Sequence, residues 1–162
     1  MTIMKTKLGA FVLQPGEGTT YTVGGSPIVY KVRGAETGGR FEITESTLPP
    51  GFGGVPPHVH HDTDHAFYVL EGELGVQIGD QTFSGGPGTC MFSPRGAAHT
   101  FSNAGSTMCR YLQIDSGPGR ERFFEEIARA FPDNTPIDRK LMGEILARYD
   151  TQPASAIGSG RE

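Results

Sequence analysis

Apolar and polar residues alternate in short runs along most of this chain, and nearly every run stops at a turn signal. Thr19 to Val23 alternates and is rich in β-branched residues; Ile28 to Val32 repeats the pattern after Gly24-Gly25. Arg40 to Leu48 sets Phe41, Ile43, Glu45 and Thr47 against Glu42, Thr44, Ser46 and Leu48, so one of these faces is expected to be half buried. Further strands are predicted over His65 to Leu70, Thr89 to Phe92, Ala98 to Ser102 and Thr107 to Ile114. Leu74 to Ile78 and Gln81 to Phe83 read as a hairpin around Gly79-Asp80. The stretch LPPGFGGVPPH is too rich in proline and glycine for a helix or central strand, and reads as a loop that delivers His58. Gly34 to Gly39 reads as a second loop, and Ala10 to Gln14 as a short apolar run before a turn.

The period changes after Ser116-Gly117-Pro118-Gly119. Phe123, Phe124, Ile127, Ala130 and Phe131 recur at helical spacing, and so do Ile137, Leu141, Ile145, Leu146 and Tyr149. Thr135-Pro136 looks like the cap and first position of the second helix. The tail from Thr151 is small and polar and is expected to be disordered, as are the first residues to about Lys7. The chain thus reads as all-β, a sandwich or barrel followed by two short helices. It forms one domain: a core over about 9–115, helices over about 119–150 and a tail over 151–162.

Composition narrows the function classes. The 162 residues carry 24 glycines and 12 prolines, which suits many turns between strands, and a formal net charge of -4. No basic run appears, so nucleic acid is not an expected partner. No apolar segment has the length of a membrane span, and LGAFVL is too short for a secretory leader, so a cytoplasmic location is expected. Cys90 and Cys109 are expected to be reduced, buried strand residues. No phosphate-cradling glycine motif and no serine-nucleophile elbow is present.

The chemistry concentrates in HVHHDTDHAFYVLEG, from His58 to Gly72, and GTCMFSPRGAAHTFSN, from Gly88 to Asn103. Strand parity puts His58 and His60 on one face. His65 opens the next strand and His99 another, so four imidazoles from three strands can meet at one point. Imidazole suits zinc, copper, iron and nickel. One divalent transition metal ion is therefore expected (Fe, Ni, Cu, Mn or Zn), ligated by His58, His60, His65 and His99.

These two stretches resemble the paired motifs of the cupin superfamily. The first runs HxH, four residues, an imidazole, six residues and Gly72. The second runs Gly88, five residues, Pro94, one residue, Gly96, two residues, His99, three residues, Asn103. The resemblance covers about residues 24 to 115 and implies a double-stranded β-helix, the jelly-roll form, with the metal inside. One position departs: the family's usual glutamate is His65 here. The flanks resemble quercetinase-like cupins and cupin-type polyketide cyclases.

Three functions follow as expectations. The first is a dioxygenase of quercetinase type acting on a small enolisable or aromatic substrate. With His65 in the glutamate's place it needs another base; Glu42 and Asp64 are the carboxylates considered, and no catalytic base is assigned. The second is a non-redox zinc cyclase or isomerase of aromatic polyketide type. The third is a metal-bearing binding module without catalysis. Phe67 and Phe101 face inward by parity and suit a flat substrate as well as a plain core. Phe52 either overhangs the pocket mouth or packs its loop down. The strand HAFYVL is apolar on both faces, so Tyr68 and Leu70 are expected to meet a second copy in a homodimer.

Overall fold

The computed structural model describes residues 6–23, 25–117, 119–132 and 135–154. In chain order it contains β1 (Thr19–Val23), β2 (Ser26–Val32), α1 (Gly34–Thr37), β3 (Phe41–Leu48), β4 (His58–Val59), β5 (His65–Glu71), β6 (Leu74–Ile78) and β7 (Gln81–Gly85). There follow β8 (Cys90–Ser93), β9 (His99–Ser102), β10 (Cys109–Ser116), α2 (Arg120–Ala130), α3 (Arg139–Arg148) and β11 (Gln152–Pro153). Two antiparallel sheets face each other. One has six strands in the order β1-β2-β3-β10-β5-β8; the other has five, β11-β4-β9-β6-β7. This is the all-β sandwich with short C-terminal helices that the strand pattern predicted.

Alternation decides what lies between the sheets. In β5, His65, Phe67 and Val69 are buried while Tyr68 stays 42% exposed. In β10 the inward set is Cys109, Tyr111, Gln113 and Asp115. Leu48, Phe67, Val69, Leu74, Val76, Met91, Cys109 and Tyr111 form one apolar core. In β3 the buried face is the more polar one, Glu42, Thr44, Ser46 and Leu48. A second, smaller core joins α2 and α3 through Phe123, Ile127 and Ile145, with Val23 of β1 against it. The helices therefore cover the β1 margin and leave the outer face of β5 open.

Two motif residues have structural work. Gly72 adopts φ +72, and a Cβ there would collide with the carbonyl of Met108. Asn103 donates from Nδ2 to the carbonyls of Leu48, Pro49 and Thr107 at 3.2, 3.0 and 2.8 Å. It thereby ties the Pro-rich loop to the end of β9.

Several expectations are corrected. Residues 34–39 are not all loop: Glu36 accepts from the Arg33 N–H at 2.9 Å and Gly38 closes a four-residue α1 in the left-handed region. The second helix starts later than Thr135-Pro136, because Asp138 is its cap, accepting from the N–H groups of Lys140 and Leu141 at 2.8 and 3.1 Å. Ile137 precedes it and is 58% exposed. Cys90 points outward and is exposed, and β5 separates its strand from that of Cys109; both thiols are free. The tail does not begin at Thr151. Gln152 and Pro153 pair with Val59 and His58, and the Ala154 N–H donates to Pro57 at 2.9 Å. The remaining expected disorder, 1–5 and 155–162, lies outside the described residues. No helix among the described residues is long and apolar enough to cross a membrane.

Candidate metal centre

Strand pairing brings the histidines together. His58 on β4 lies directly opposite His99 on β9, and their ring centroids are 4.5 Å apart. His60 follows β4 by one residue, with centroids 4.9 Å from His58 and 5.4 Å from His99. One nitrogen from each of these three rings lies within 4.8 Å of the others. His65, on the opposite sheet, has its ring 4.8 Å from both His60 and His99. All four imidazoles converge, three of them in the tight group and the fourth beside it.

Each ring is held by the same atom. The Nδ1 of His58 contacts the Pro56 carbonyl at 2.9 Å, that of His60 the Asp150 carbonyl at 2.6 Å, and that of His99 the Ala97 carbonyl at 3.0 Å. The Nδ1 of His65 contacts the Asp115 carboxylate at 2.5 Å. Those oxygens accept, so each Nδ1 carries a hydrogen, and in a neutral ring the Nε2 then keeps its lone pair. The Nε2 atoms of His60 and His65 are buried with no hydrogen-bond partner. A buried acceptor left unpaired is costly, and a cation is the partner that answers it. Burial pushes the pKa of His58 and His99 down to about 4, and that of His60, beside the Arg120 guanidinium, to about 2. Neutral imidazoles are what a metal ion requires. The donor set thus fits a divalent transition metal ion.

The surroundings supply the bracing. Gly96 donates its N–H to the His60 carbonyl at 2.7 Å, tying the turn before β9 to the His60 backbone. Asp64, weighed as a base, is instead a brace. Its carboxylate takes the Arg95 N–H at 2.9 Å and the Arg95 guanidinium at 3.1 and 2.6 Å, which holds its pKa far below the usual range. Glu42 is buried in the interior, and both its oxygens accept from the first N–H groups around α2, Gly119 at 3.4 Å and Glu121 at 3.2 Å. Burial pushes its pKa up. Phe67 is buried with its ring 6.0 Å from His65, and Phe101 lies 6.2 Å from Phe67. Phe52 is half buried against the same apolar core, and its carbonyl accepts from Asn103 at 2.9 Å.

Residues 44–115 match the family model for the cupin domain. Residues 44–115 are a cupin domain. Over 92 residues, 56% of the chain, it is 32% identical to a quercetin 2,3-dioxygenase of Bacillus subtilis. The chain spans only 27% of that relative's own length. Among solved structures this chain is similar to the polyketide cyclase RemF from Streptomyces resistomycificus, at 28% identity and TM-score 0.56, over 65% of this chain and 78% of the other. It shares its fold with a predicted oxalate decarboxylase from Thermotoga maritima, at 20% identity and TM-score 0.59, over 65% and 98% of the two chains.

Sequence reasoning missed six residues around this site. Asp115 and Gln113 stand behind His65. Asp150 and Thr151 stand behind His60, with Arg120 donating to Thr151 Oγ1 at 3.2 Å. Ser93 lies directly opposite His65, fully buried, with its Oγ unpartnered. Parity along β8 and β10 was a usable signal for Ser93, Gln113 and Asp115. Nothing local marked the contacts of the C-terminal segment.

Proposed function

We propose that this protein is a metal-dependent cupin enzyme acting on a small enolisable substrate, and that its reaction is a non-redox ring closure of the polyketide-cyclase kind. The observation that carries this reading is the donor set: four converging imidazoles, the Nε2 atoms of His60 and His65 buried without a partner, and no carboxylate in the three-histidine group. His58, His60 and His99 would hold the ion, and His65 would be the fourth ligand. When bound, the ion supplies Lewis acidity that stabilises an oxyanion.

The chain's own residues do the rest. The backbone carbonyls behind His58, His60 and His99 fix those rings, so they need not reorganise during reaction. Phe67, Phe101 and Tyr111, at mutual ring distances of 6.0 to 6.2 Å and tilted to one another, form an aromatic cluster next to His65. That packed cluster would exclude water from the His65 side of the centre. Similarity to the polyketide cyclase spans most of that protein, which supports the same reading.

A dioxygenase is the second reading, favoured by the 32% identity to the quercetin 2,3-dioxygenase. Elemental analysis of untagged protein purified without chelator separates the two, combined with oxygen uptake on a flavonol and ring closure of a poly-β-ketone. Zinc, ring closure and no oxygen consumption are expected. Iron, copper, nickel or manganese with oxygen consumed would overturn the cyclase reading.

We also propose that two copies pair through the outer face of the six-stranded sheet. The register lines up Ile43, Ile114, Ala66 and Phe92 in one row and Leu112, Tyr68 and Cys90 in the next. Phe92 is 58% exposed. Arg110, Glu45 and Glu71 border these rows, so a two-fold axis would offer each guanidinium the partner's carboxylates. Light scattering at micromolar concentration should give a dimer, and Leu70→Glu a monomer. A dimer indifferent to that charge would remove this face as the contact.

A further inference from the structure

Three of the four histidines lean on neutral backbone carbonyls; His65 alone leans on a carboxylate. Resting on the histidine centre proposed above, we infer that Asp115 keeps, one imidazole away from the ion, the negative charge that a glutamate at position 65 would bring to it directly. Gln113 is the residue that aims it. Both are positioning residues, acting through His65.

The placement follows from register. β10 runs antiparallel to β5, with Asp115 opposite His65 and Gln113 opposite Phe67. Parity turns both side chains inward. Asp115 is 1% exposed and Gln113 8% exposed. The Asp115 carboxylate accepts from His65 Nδ1 at 2.5 Å and from Gln113 Nε2 at 2.8 and 3.1 Å. Among the described residues its one ion-pair contact is with His65. A buried carboxylate is expensive unless positive charge offsets it, and here the buried Arg120 guanidinium supplies part of that charge. An ion on Nε2 of the same ring answers that cost, because it polarises the imidazole and strengthens the Nδ1–H as a donor. The carboxylate in return makes Nε2 the better ligand.

The arrangement also selects the substrate class. A carboxylate bound at the ion would repel a second anionic oxygen arriving there. With the charge moved behind the ring, a bidentate enolate such as a 1,3-diketonate meets the cation with no like charge beside it.

The test reads metal affinity on the full chain, by competition between the protein and a chelating dye for Zn2+, with Co2+ absorption as a second signal. Asp115→Asn keeps an acceptor oxygen for His65 and removes the charge; it should weaken zinc binding by about 10- to 100-fold. Gln113→Leu should weaken it by less, and it carries the test if Asp115→Asn fails to fold. In the His65→Glu background the sign should reverse. Two carboxylates would then face each other, and adding Asp115→Asn should strengthen binding. Wild-type affinity in the soluble Asp115→Asn protein, or in Gln113→Leu where that alone folds, would overturn the inference. So would equal weakening by Asp115→Asn in both backgrounds, which is what a purely structural role predicts. A wild-type chain that takes up no zinc would sink the histidine centre itself, and this inference with it.

Discussion

The interior of this sandwich has two ends built from the same strands. β5 contributes Phe67 and Val69 to one and His65 to the other. β10 contributes Cys109 and Tyr111, then Gln113 and Asp115. β9 contributes Phe101, then His99; β3 contributes Leu48, then Thr44 and Glu42. At the first end Leu48, Phe67, Val69, Leu74, Val76 and Tyr111 are buried together, and burial of apolar surface is the stabilising term. At the second end the buried groups are His60, His65, His99, Ser93, Gln113 and Asp115. There every gain depends on a named partner, and unpartnered groups cost free energy. Inward or outward is settled by strand parity alone. Chemistry is settled by position along the strand.

Removing a residue from each end should therefore produce opposite phenotypes. The largest effect is expected from His99→Ala. It should strip most of the metal, a greater loss than the about 10- to 100-fold typical of changes behind a ligand, while the metal-free variant still unfolds cooperatively. Stoichiometric zinc retained after dialysis would break the contrast. Phe67→Ala, at the apolar end, should cost about 3–5 kcal/mol of stability by chemical denaturation. Its folded fraction should still bind zinc. Intact stability would show that Phe67 belongs to a substrate cavity rather than to the core.

The third prediction concerns pH. In the metal-free protein the folded-state pKa values of His58 and His99 lie near 4, against about 6.5 unfolded. Between those values the unfolded chain binds more protons than the folded one, so stability falls as pH falls from about 6.5 towards 4. Melting temperature should drop over that window, and His99→Ala should flatten the drop. A pH-independent melting temperature would mean that these imidazoles are not held neutral. The smallest effect is expected from Asp150→Ala. Its carboxylate accepts from the N–H groups of His61 and Asp62 at 2.8 Å each, and its own φ is +49. Zinc affinity should fall by about tenfold, and unchanged affinity would show that the segment does not hold His60.

How much of this was legible depends on the range of the interaction. β1 and β6 follow from alternation and turn residues, both local. His58 and His99 follow from motif spacing. Asp115 was harder to see because the usual strand reading places polar residues outside. Here Gln113 and Asp115 continue the inward parity of Tyr111 because His65 waits across the ladder. The order of residues 151–154 was invisible for another reason. Small polar residues carry little core-forming signal, and their pairing with β4 joins positions some ninety apart in sequence. The α3 boundary slipped because Pro136 offered a plausible start while Asp138 provides the acceptor.

That long-range pairing has a consequence for biosynthesis. A nascent chain made from its N-terminal side presents His58, His60, His65 and His99 long before residue 150, whose carbonyl fixes the His60 ring. During that interval the donors exist without the contact that fixes the His60 ring, so an ion bound then by the proposed centre would meet a looser set of ligands. For the proposed metal centre, timing would then matter to the choice of ion, because the carbonyl that fixes His60 arrives only with the segment that pairs β11 with β4.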